Sequence, residues 1–395
     1  MIKQTPTQIF LRFLKFGLLA WGGPVAQIAM IRKELVEEEE WVTKEQFNRA
    51  LAVYQVLPGP EAHELCVYFG MKAGGRWGGF LAGLAFMLPG FLLMLLCTAL
   101  YIHFGLQSPT FKILFEGIQA VVVALILFAV YRIGKHTVTN ASLLVIALCS
   151  AMASFTGVHF VIVLLVAGLA YAAWQKEQYL VTGLIAIIWL TSMGFQVKEN
   201  GFPWSQKKQQ QHIVSTSYNQ AYGKVFLTGL KGGLLTFGGA YTAIPFIQRD
   251  AVVQNKWMSN EEFLDGIALS GILPAPLIIF STFVGYFGGG WPGAVLITIA
   301  IFLPAFSFTL AGHGAMEKLI ANTALHNLLD GITAGVIGLI GVTAIQLLLT
   351  TVTSWMALAI VAASIIIQIK FRSKFTAIFL IPGAGAFSLI WHYFV

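Results

Sequence analysis

Charged side chains are scarce in this 395-residue chain: they make up 10% of it, whereas a soluble domain carries roughly 25%. The shortage is concentrated, because residues 77–102, 266–316 and 331–369 contain no Asp, Glu, Lys or Arg. A helix needs only about 20 apolar residues to cross the hydrocarbon core of a bilayer. The composition therefore excludes an ordinary soluble protein and predicts an all-α polytopic membrane protein.

Cysteine is equally rare, and its pattern excludes several kinds of chemistry. Cys66, Cys97 and Cys149 stand singly in apolar stretches, without the spacing of metal ligands or of a disulfide framework. The chain also has no dinucleotide-binding fingerprint and no GxxxxGK[ST] nucleotide-binding motif. We therefore expect no metal, no cofactor and no enzymatic activity.

The basic residues give a net charge of +7 but form no compact patch and no arginine-rich segment. This excludes nucleic acid as a partner and favours positively charged cytoplasmic loops. Residues 1–15 mix Lys3, Arg12 and Lys15 into the first apolar stretch and show no small-residue cleavage site, so no cleavable signal peptide is expected.

An internal duplication is present. The segments 10–23 (FLRFLKFGLLAWGG) and 226–239 (FLTGLKGGLLTFGG) are identical at nine of 14 positions, so that Phe10 aligns with Phe226. With two one-residue slips the alignment continues until Glu116-Gly117-Ile118 meets Asp330-Gly331-Ile332. Such a repeat predicts two homologous membrane halves, 1–197 and 221–395, joined by a polar linker at 198–220. The first half has one additional apolar segment, 179–196.

Loop charges predict that the two halves are inverted in the membrane. Lys72 and Arg76 correspond to an uncharged stretch at 288–291, and Arg132 and Lys135 to an uncharged stretch at 350–354. Conversely, the uncharged turn at 156–157 corresponds to basic residues at 370–374. Because basic loops stay cytoplasmic, equivalent loops should lie on opposite sides. If 46–71 is counted as one broken crossing, the first half has about seven spans and the second about six. The predicted total is about 10–13 membrane segments, and re-entrant hairpins would lower it.

Apolar segments are interrupted at matching places in both halves. The interruptions are Gly22-Gly23-Pro24 with Gly238-Gly239, Pro58-Gly59-Pro60 with Pro274-Ala275-Pro276, and Leu88-Pro89-Gly90 with Leu303-Pro304-Ala305. Unpaired backbone in hydrocarbon is costly, so such breaks are retained where they are buried or line a cavity. A helix that restarts after a break points free N–H groups and a partial positive charge into that cavity, which suits an anion.

Several side chains near the breaks are candidates to complete an anion site. Lys15 and Lys231 recur at the same position before the Gly-Gly break, and snorkelling to the interface is their alternative role. Arg32 and Arg249 follow the first helix of each half and could equally be topology anchors. Gln55 precedes the Pro-Gly-Pro motif.

Acidic residues supply candidates for coupling or gating. Glu61 follows Pro60 directly and could carry a coupling proton, or cap a helix; His63 and Glu64 lie close by. Glu116 and Asp330 are matched acids that open apolar helices, and helix N-terminal capping is their alternative role.

The sequence resembles the chromate ion transporter family, in its long two-domain form. The resemblance is carried by Leu57-Pro58-Gly59-Pro60-Glu61-Ala62, by 68–70 and 78–80 beyond it, and by Trp21-Gly22-Gly23-Pro24 with its echo at 237–239. It implies a multi-pass carrier in the bacterial cytoplasmic membrane that exports chromate and gives chromate resistance, with sulfate as a competing analogue. The second half departs from the pattern at Ala240 and Ala275, which favours one asymmetric site.

These observations together predict a secondary transporter that works by alternating access on a tetrahedral dianion. A sulfate carrier with incidental chromate transport and a membrane-embedded reductase are the alternatives. The sequence does not determine the transport direction, the coupling ion or the oligomeric state. A homo-oligomer is compatible with it.

Overall fold

A computed structural model describes residues 4–21, 23–105, 108–200, 222–237, 239–320, 323–371 and 375–394. All regular elements in these ranges are helical, as the composition predicted. The α-helices are α1 (Pro6–Leu18), α2 (Gly23–Arg32), α3 (Lys44–Val56), α4 (Glu61–Leu100), α5 (Pro109–Thr137), α6 (Ala141–Phe155), α7 (Phe160–Gln175), α8 (Tyr179–Asn200), α9 (Tyr222–Leu234), α10 (Ile244–Gln248), α11 (Asn260–Gly271), α12 (Phe280–Ile320), α13 (Thr323–Thr351), α14 (Trp355–Lys370) and α15 (Thr376–Phe394). Single turns of 3₁₀-helix precede α10 and α12, and π-helical turns follow α2, α4 and α10.

The order of helices repeats, with α1–α7 matched by α9–α15. Local details repeat as well: Thr43 and Gln46 form a reciprocal capping box at the start of α3, and Ser259 and Glu262 form the same box at the start of α11. Helix α8 has no counterpart and is the additional apolar segment expected in the first half. Most of the predicted linker at 198–220 lies outside the described residues.

The first two helices of each half fold back on each other. In a straight helix Lys15 and Glu34 would be roughly 28 Å apart, at about 1.5 Å per residue. Instead Lys15 Nζ lies 3.1 Å from a Glu34 carboxylate oxygen. In the second half Lys231 Nζ lies 3.0 Å from Asp250 Oδ2. The Gly-Gly breaks are therefore the tips of short helical hairpins.

The Pro-Gly-Pro break is the tip of a second hairpin, so the prediction of one broken crossing over 46–71 is wrong. Phe47 in α3 stacks on Phe69 in α4 with ring centroids 5.5 Å apart, which a straight crossing would not allow. In the second half Phe263 in α11 meets Phe280 in α12 at 5.6 Å. The proline-flanked turn reverses the chain, as the hairpin alternative requires, and its re-entrant placement in the membrane stays a prediction.

A third reversal lies inside α4 and α12. Gly74 and Gly75 leave helical geometry, Gly75 with φ 67°, and Gly289 and Gly290 do the same, Gly290 with φ 65°. Only glycine adopts this conformation cheaply. The first turn lies between the basic residues Lys72 and Arg76, whereas the second lies in the uncharged stretch 288–291.

The predicted breaks at Leu88-Pro89-Gly90 and Leu303-Pro304-Ala305 are wrong, because helix continues through both. A proline inside a helix removes one donor, and a membrane helix tolerates this loss when neighbouring groups compensate. Gly90 has a different role: a Cβ built on it would lie 2.3 Å from the Cβ of Ala275, so it makes room for the break in the second half.

Within the described residues, five helical segments are long and apolar enough to cross a membrane: Glu61–Phe104, Pro109–Thr137, Leu277–Gly312, His326–Thr351 and Thr376–Phe394. The first and third of these ranges include the glycine turns at Gly75 and Gly290. Four shorter apolar helices accompany them: Ala141–Phe155, Phe160–Gln175, Tyr179–Gly194 and Trp355–Lys370. The chain is a multi-pass membrane protein. The total number of segments depends on how the short hairpins enter the bilayer and stays a prediction.

The chain forms two compact units, and each contains parts of both halves. One unit comprises Met1–Leu125, Ile213–His313 and Leu348–Val395; the other comprises Ile126–His212 and Gly314–Leu347. All hairpin tips of both halves belong to the first unit, so its internal contacts include those between the two repeats. In the second unit α7 packs on α13, where a Cβ on Gly331 would lie 2.5 Å from the carbonyl oxygen of Ala167.

Candidate functional site

The hairpin tips of the two halves meet inside the first unit. The side-chain amide of Gln27, in α2, donates to the carbonyl oxygen of Ala20 at 2.9 Å and to that of Ala275 at 3.1 Å. The backbone N–H of Gly59 donates to the carbonyl oxygen of Thr236 at 2.8 Å. We call these five residues the break junction.

The two contacts of the break junction are equivalent by the duplication. In the alignment of the halves Ala20 corresponds to Thr236, and Gly59 to Ala275. Each Gly-Gly tip thus meets the proline-flanked tip of the other half. One pair is bonded directly and the other is bridged by Gln27, a residue whose counterpart in the second half is Ala243. The two tip pairs are equivalent by the duplication, whereas the bridging side chain, Gln27, has no polar counterpart in the second half.

Helices begin at all four tips, as predicted. Gly23 and Pro24 open α2, and Gly239, with φ 126°, precedes the 3₁₀ turn that leads into α10. Pro60 caps α4, and Pro276 caps the turn leading into α12. Gly22 and Gly238, also named as candidates, lie outside the described residues. The first-turn N–H groups of a helix have no partner within that helix, so each tip offers donors suited to an anion.

Pro58, Gly59 and Pro274 complete the proline-flanked tips. Gly59, Pro60, Pro274 and Pro276 are buried and Pro58 is half-buried. Gln55 is exposed near the end of α3 and is not brought into the break junction.

Lys15 and Lys231 are each held by a carboxylate across the first hairpin. Asp250 Oδ2 accepts from Lys231 Nζ and also from the Thr228 hydroxyl at 3.0 Å. Glu34 and Asp250 occupy equivalent positions of the repeat, so the whole ion pair is duplicated. The alignment of the halves matches Glu34 with Asp250, but the stretch of charged residues around Glu34 hides it as a partner of Lys15 in the sequence.

The arginines named as candidates lie beside these pairs. Arg32 is half-buried, with its Nε 3.6 Å from a Glu37 carboxylate oxygen. Burial lowers the pKa of Arg249, and the neighbouring carboxylate of Asp250 opposes that shift. An arginine remains a cation in both settings.

Three ionisable residues stand in the first turns of α4. Glu61 is its first residue, as predicted, and is 8% exposed; Glu64 is fully buried and lies against Gly59. The His63 ring is fully buried among aromatic rings, 4.8 Å from Phe302 and 4.7 Å from Phe306 between centroids. His63 therefore packs into the core, and the two carboxyl groups are the polar members of this turn.

Glu116 and Asp330 do not open their helices. Helix α5 begins at Pro109 and α13 at Thr323, so both acids lie well inside, and both are exposed. The capping role considered for them is wrong, because the helices begin two turns earlier than the apolar pattern indicated. Their part in coupling stays a prediction.

A buried polar cluster that sequence reasoning missed also joins the two halves. Asp265 in α11 accepts from the Tyr101 hydroxyl at 2.7 Å and from the side-chain amide of Gln119 at 2.9 Å. Asp265 and Gln119 are nearly fully buried. In the sequence, Asp265 is recognisable as a single acid beside an apolar stretch. Its partners Tyr101 and Gln119 lie too far along the chain to be matched with it from sequence alone.

Comparison with known proteins decides the family. The model of the family described as "Chromate transporter" matches twice, over residues 7–172 and 223–389. The chain belongs to the chromate transporter family. It is 46% identical over 385 residues to a chromate transport protein of Pseudomonas aeruginosa, covering 96% of this chain and 90% of that protein.

Two more distant relatives are similar over nearly their whole length. A chromate transport protein of Cupriavidus metallidurans is 28% identical, covering 98% of this chain and 93% of the relative. An uncharacterized transporter of Methanocaldococcus jannaschii is also 28% identical, covering 92% of this chain and 89% of the relative. No solved structure matches the chain. The family resemblance inferred from the motifs is confirmed.

Proposed function

We propose that this chain is a secondary transporter that exports chromate across the bacterial cytoplasmic membrane by alternating access and thereby confers chromate resistance. The observation that carries the proposal is the family match in both repeats, together with close similarity to a relative named as a chromate transport protein. A transporter family fits the expectation that the chain is not an enzyme.

Inverted repeats are part of this proposal. Two halves of opposite orientation would be related by a two-fold axis in the membrane plane, which pairs the Gly-Gly tip of each half with the proline-flanked tip of the other. The Ala20–Gln27–Ala275 bridge and the Thr236–Gly59 bond have this reciprocal pattern. Equivalent loops that are basic in one half and uncharged in the other support the same arrangement.

In our proposal the dianion binds at the break junction. The first turns of α2 and α4 would supply N–H donors and partial positive charge. Lys15 and Lys231 are already paired with carboxylates, so we assign the larger share of binding to these backbone groups and a supporting electrostatic share to the lysines. Rocking of one repeat against the other would then expose the anion to each side.

The energy for export would come from the membrane rather than from ATP, since the sequence has no nucleotide-binding motif. An inside-negative potential favours outward movement of negative charge by about 2.3 kcal/mol per charge per 100 mV. For a dianion this amounts to about 4.6 kcal/mol at about 100 mV.

Radiolabelled chromate flux into proteoliposomes that contain the purified protein tests the proposal. With an inside-positive potential, chromate should accumulate inside the vesicles, and collapsing the potential should release it. Flux no greater than in protein-free vesicles would refute chromate transport. Titration with unlabelled sulfate and unlabelled chromate distinguishes the alternative carrier: inhibition of the labelled flux by sulfate at lower concentrations than by chromate would favour sulfate as the main substrate. Chromium(III) formed in the vesicles would instead indicate a reductase.

A further inference from the structure

The carboxyl group of Glu64 is the most unusual polar group at the break junction. Its side chain is fully buried, and neither carboxylate oxygen has a hydrogen-bond partner among the described residues. A Cβ built on Gly59 would lie 2.7 Å from Glu64 Oε1, so the carboxyl group points back into the Pro-Gly-Pro tip. Gly59 itself bonds to Thr236 of the second half. Glu64 is thus in contact with the residue that joins the two repeats.

No cation in the described residues compensates a charge on Glu64. Glu61, one turn earlier on the same helix, is the charged group that acts on it, and it is of the same sign. His63 faces Phe302 and Phe306 instead. The lysines of the first hairpins are engaged by Glu34 and Asp250. An ionised carboxylate without donors or counter-charge is strongly disfavoured in a buried apolar setting, whereas a neutral carboxyl group is tolerated.

The duplicated framework does not require these acids. In the alignment of the halves Glu61 corresponds to Leu277 and Glu64 to Phe280, both fully or nearly fully buried. The equivalent tip of the second half therefore folds with apolar side chains at both positions. A carboxyl group kept at such a position serves something other than the fold.

We propose that Glu64 is the proton-binding residue of the transport cycle: it holds a proton in the conformation described here, in which it is buried and to which the anion binds, and releases the proton when the site opens and the anion leaves. The proposal rests on chromate transport as proposed above. A neutral Glu64 removes a negative charge from the neighbourhood of a dianion and provides an O–H donor to one of its oxygens. An ionised Glu64 would repel the anion from the same helix terminus.

Binding of the anion and binding of the proton are then linked and strengthen each other equally. Coupling of this kind is typically about 5–150-fold in affinity. One proton would move with each chromate, so that the charge carried per anion is one rather than two. The direct consequence is a flux that falls with rising pH, roughly tenfold per pH unit above the midpoint for a one-proton linkage.

The test compares wild type, Glu64→Gln and Glu45→Gln in proteoliposomes. Gln is the neutral isostere of the protonated acid, and Glu45 is a matched control because it stands in the first turn of α3 but is exposed. Chromate flux is measured above the pH at which chromate itself takes up a proton, and a lumenal pH dye follows proton movement. Wild type and Glu45→Gln should show pH-dependent flux with proton movement. Glu64→Gln should transport chromate without either.

Infrared spectra of the purified protein without any anion provide an independent arm. The carbonyl band of protonated carboxyl groups should be equally strong in wild type and Glu45→Gln and weaker by one group in Glu64→Gln, since the buried Glu61 and Asp265 can also contribute to it. This measurement also decides the case in which Glu64→Gln transports nothing: an unchanged band overturns the proposal, and loss of one group's contribution supports it.

The failure modes are distinguishable. If wild type transports chromate and Glu64→Gln retains the same pH dependence and proton movement, the role of Glu64 is overturned while the proposed function stands. If wild type moves no chromate, the proposed function fails, and the infrared band still reports whether Glu64 holds a proton.

Discussion

Lys231 Nζ lies 3.0 Å from Asp250 Oδ2, and the same pair recurs in the first half as Lys15 and Glu34 at 3.1 Å. Asp250 is more deeply buried than Glu34, with side-chain exposures of 4% and 15%. The two ion pairs each connect the arms of the first hairpin. Their position close to the Gly-Gly tips made the lysines look like anion ligands in the sequence, while the structure gives each of them a carboxylate partner.

Removing Lys231 should destabilise the protein more than removing Lys15. Lys231→Met leaves the buried Asp250 without its counter-charge, at a cost of about 1–3 kcal/mol. Lys15→Met removes the counter-charge of Glu34, which is better solvated than Asp250. The loss in free energy of unfolding should therefore be less than about 1 kcal/mol. Thermal unfolding in detergent measures both.

The same lysines allow a test of their role in binding. Adding Asp250→Asn to Lys231→Met removes the unpaired charge and should restore both stability and chromate uptake by inverted vesicles. If uptake is lost in Lys231→Met and stays lost while stability recovers, Lys231 is a direct ligand of the anion, which is one of the two roles that the sequence left open.

Gln27→Leu should impair transport through the break junction. The substitution leaves the carbonyl oxygens of Ala20 and Ala275 without the amide that bridges them, and buried acceptors without donors cost about 1–3 kcal/mol each. We expect chromate flux to fall by roughly tenfold or more, since about 1.4 kcal/mol corresponds to a factor of ten. Gln178→Ala, at an exposed turn, is the control. Wild-type flux in Gln27→Leu would mean that the bridge is not needed.

The glycine turns inside α4 and α12 should respond alike to alanine. Gly75→Ala and Gly290→Ala each force an L-residue into a conformation that costs about 1–3 kcal/mol. Both should lower the melting temperature by similar amounts. Gly183→Ala, in α8 with nothing near the added methyl group, should leave it unchanged or raise it. A large difference between Gly75→Ala and Gly290→Ala would contradict the equivalence of the two turns.

Tyr101→Phe should destabilise the buried cluster that joins the halves. The substitution removes the hydroxyl that donates to Asp265 and leaves a carboxylate oxygen without that donor, at a cost of about 1–3 kcal/mol. Replacing Asp265 with Asn in the same chain should recover part of this loss, because a neutral side chain tolerates one missing donor better. Thermal unfolding of the three variants forms a double-mutant cycle. Strictly additive losses would show that Tyr101 and Asp265 do not interact.

The sequence predicted the helical class, the duplication, the four tips at which helices restart, and the family. These features depend on composition, on repeated glycines and prolines, and on short motifs, all of which are local. The hairpins were not predicted as such, because a proline-flanked break such as 58–60 is compatible with a straight broken helix and with a reversal. The contact between Phe47 and Phe69, which lie on opposite sides of this break, distinguishes the two.

The polar partners at the site were the least predictable part. Gln27 with Ala275 and Tyr101 with Asp265 join residues that are distant along the chain and belong to different halves, so no spacing rule connects them. At Pro89 the sequence predicted a break that the structure does not have. The sequence there, with a proline next to a glycine, resembles that of the real breaks, whereas the helix around Pro89 remains intact and Ala275 packs closely on Gly90.

Opposite orientation of the two repeats underlies the alternating-access proposal, and equivalent loops test it most directly. In a background with Cys66, Cys97 and Cys149 replaced by serine, single cysteines are introduced as Thr139→Cys and Thr353→Cys, at exposed positions of the loops after α5 and α13. Intact cells are then treated with a membrane-impermeant maleimide. We predict that the Thr353→Cys site labels from outside and the Thr139→Cys site only after permeabilisation. Labelling of both sites from the same side would contradict the inverted arrangement.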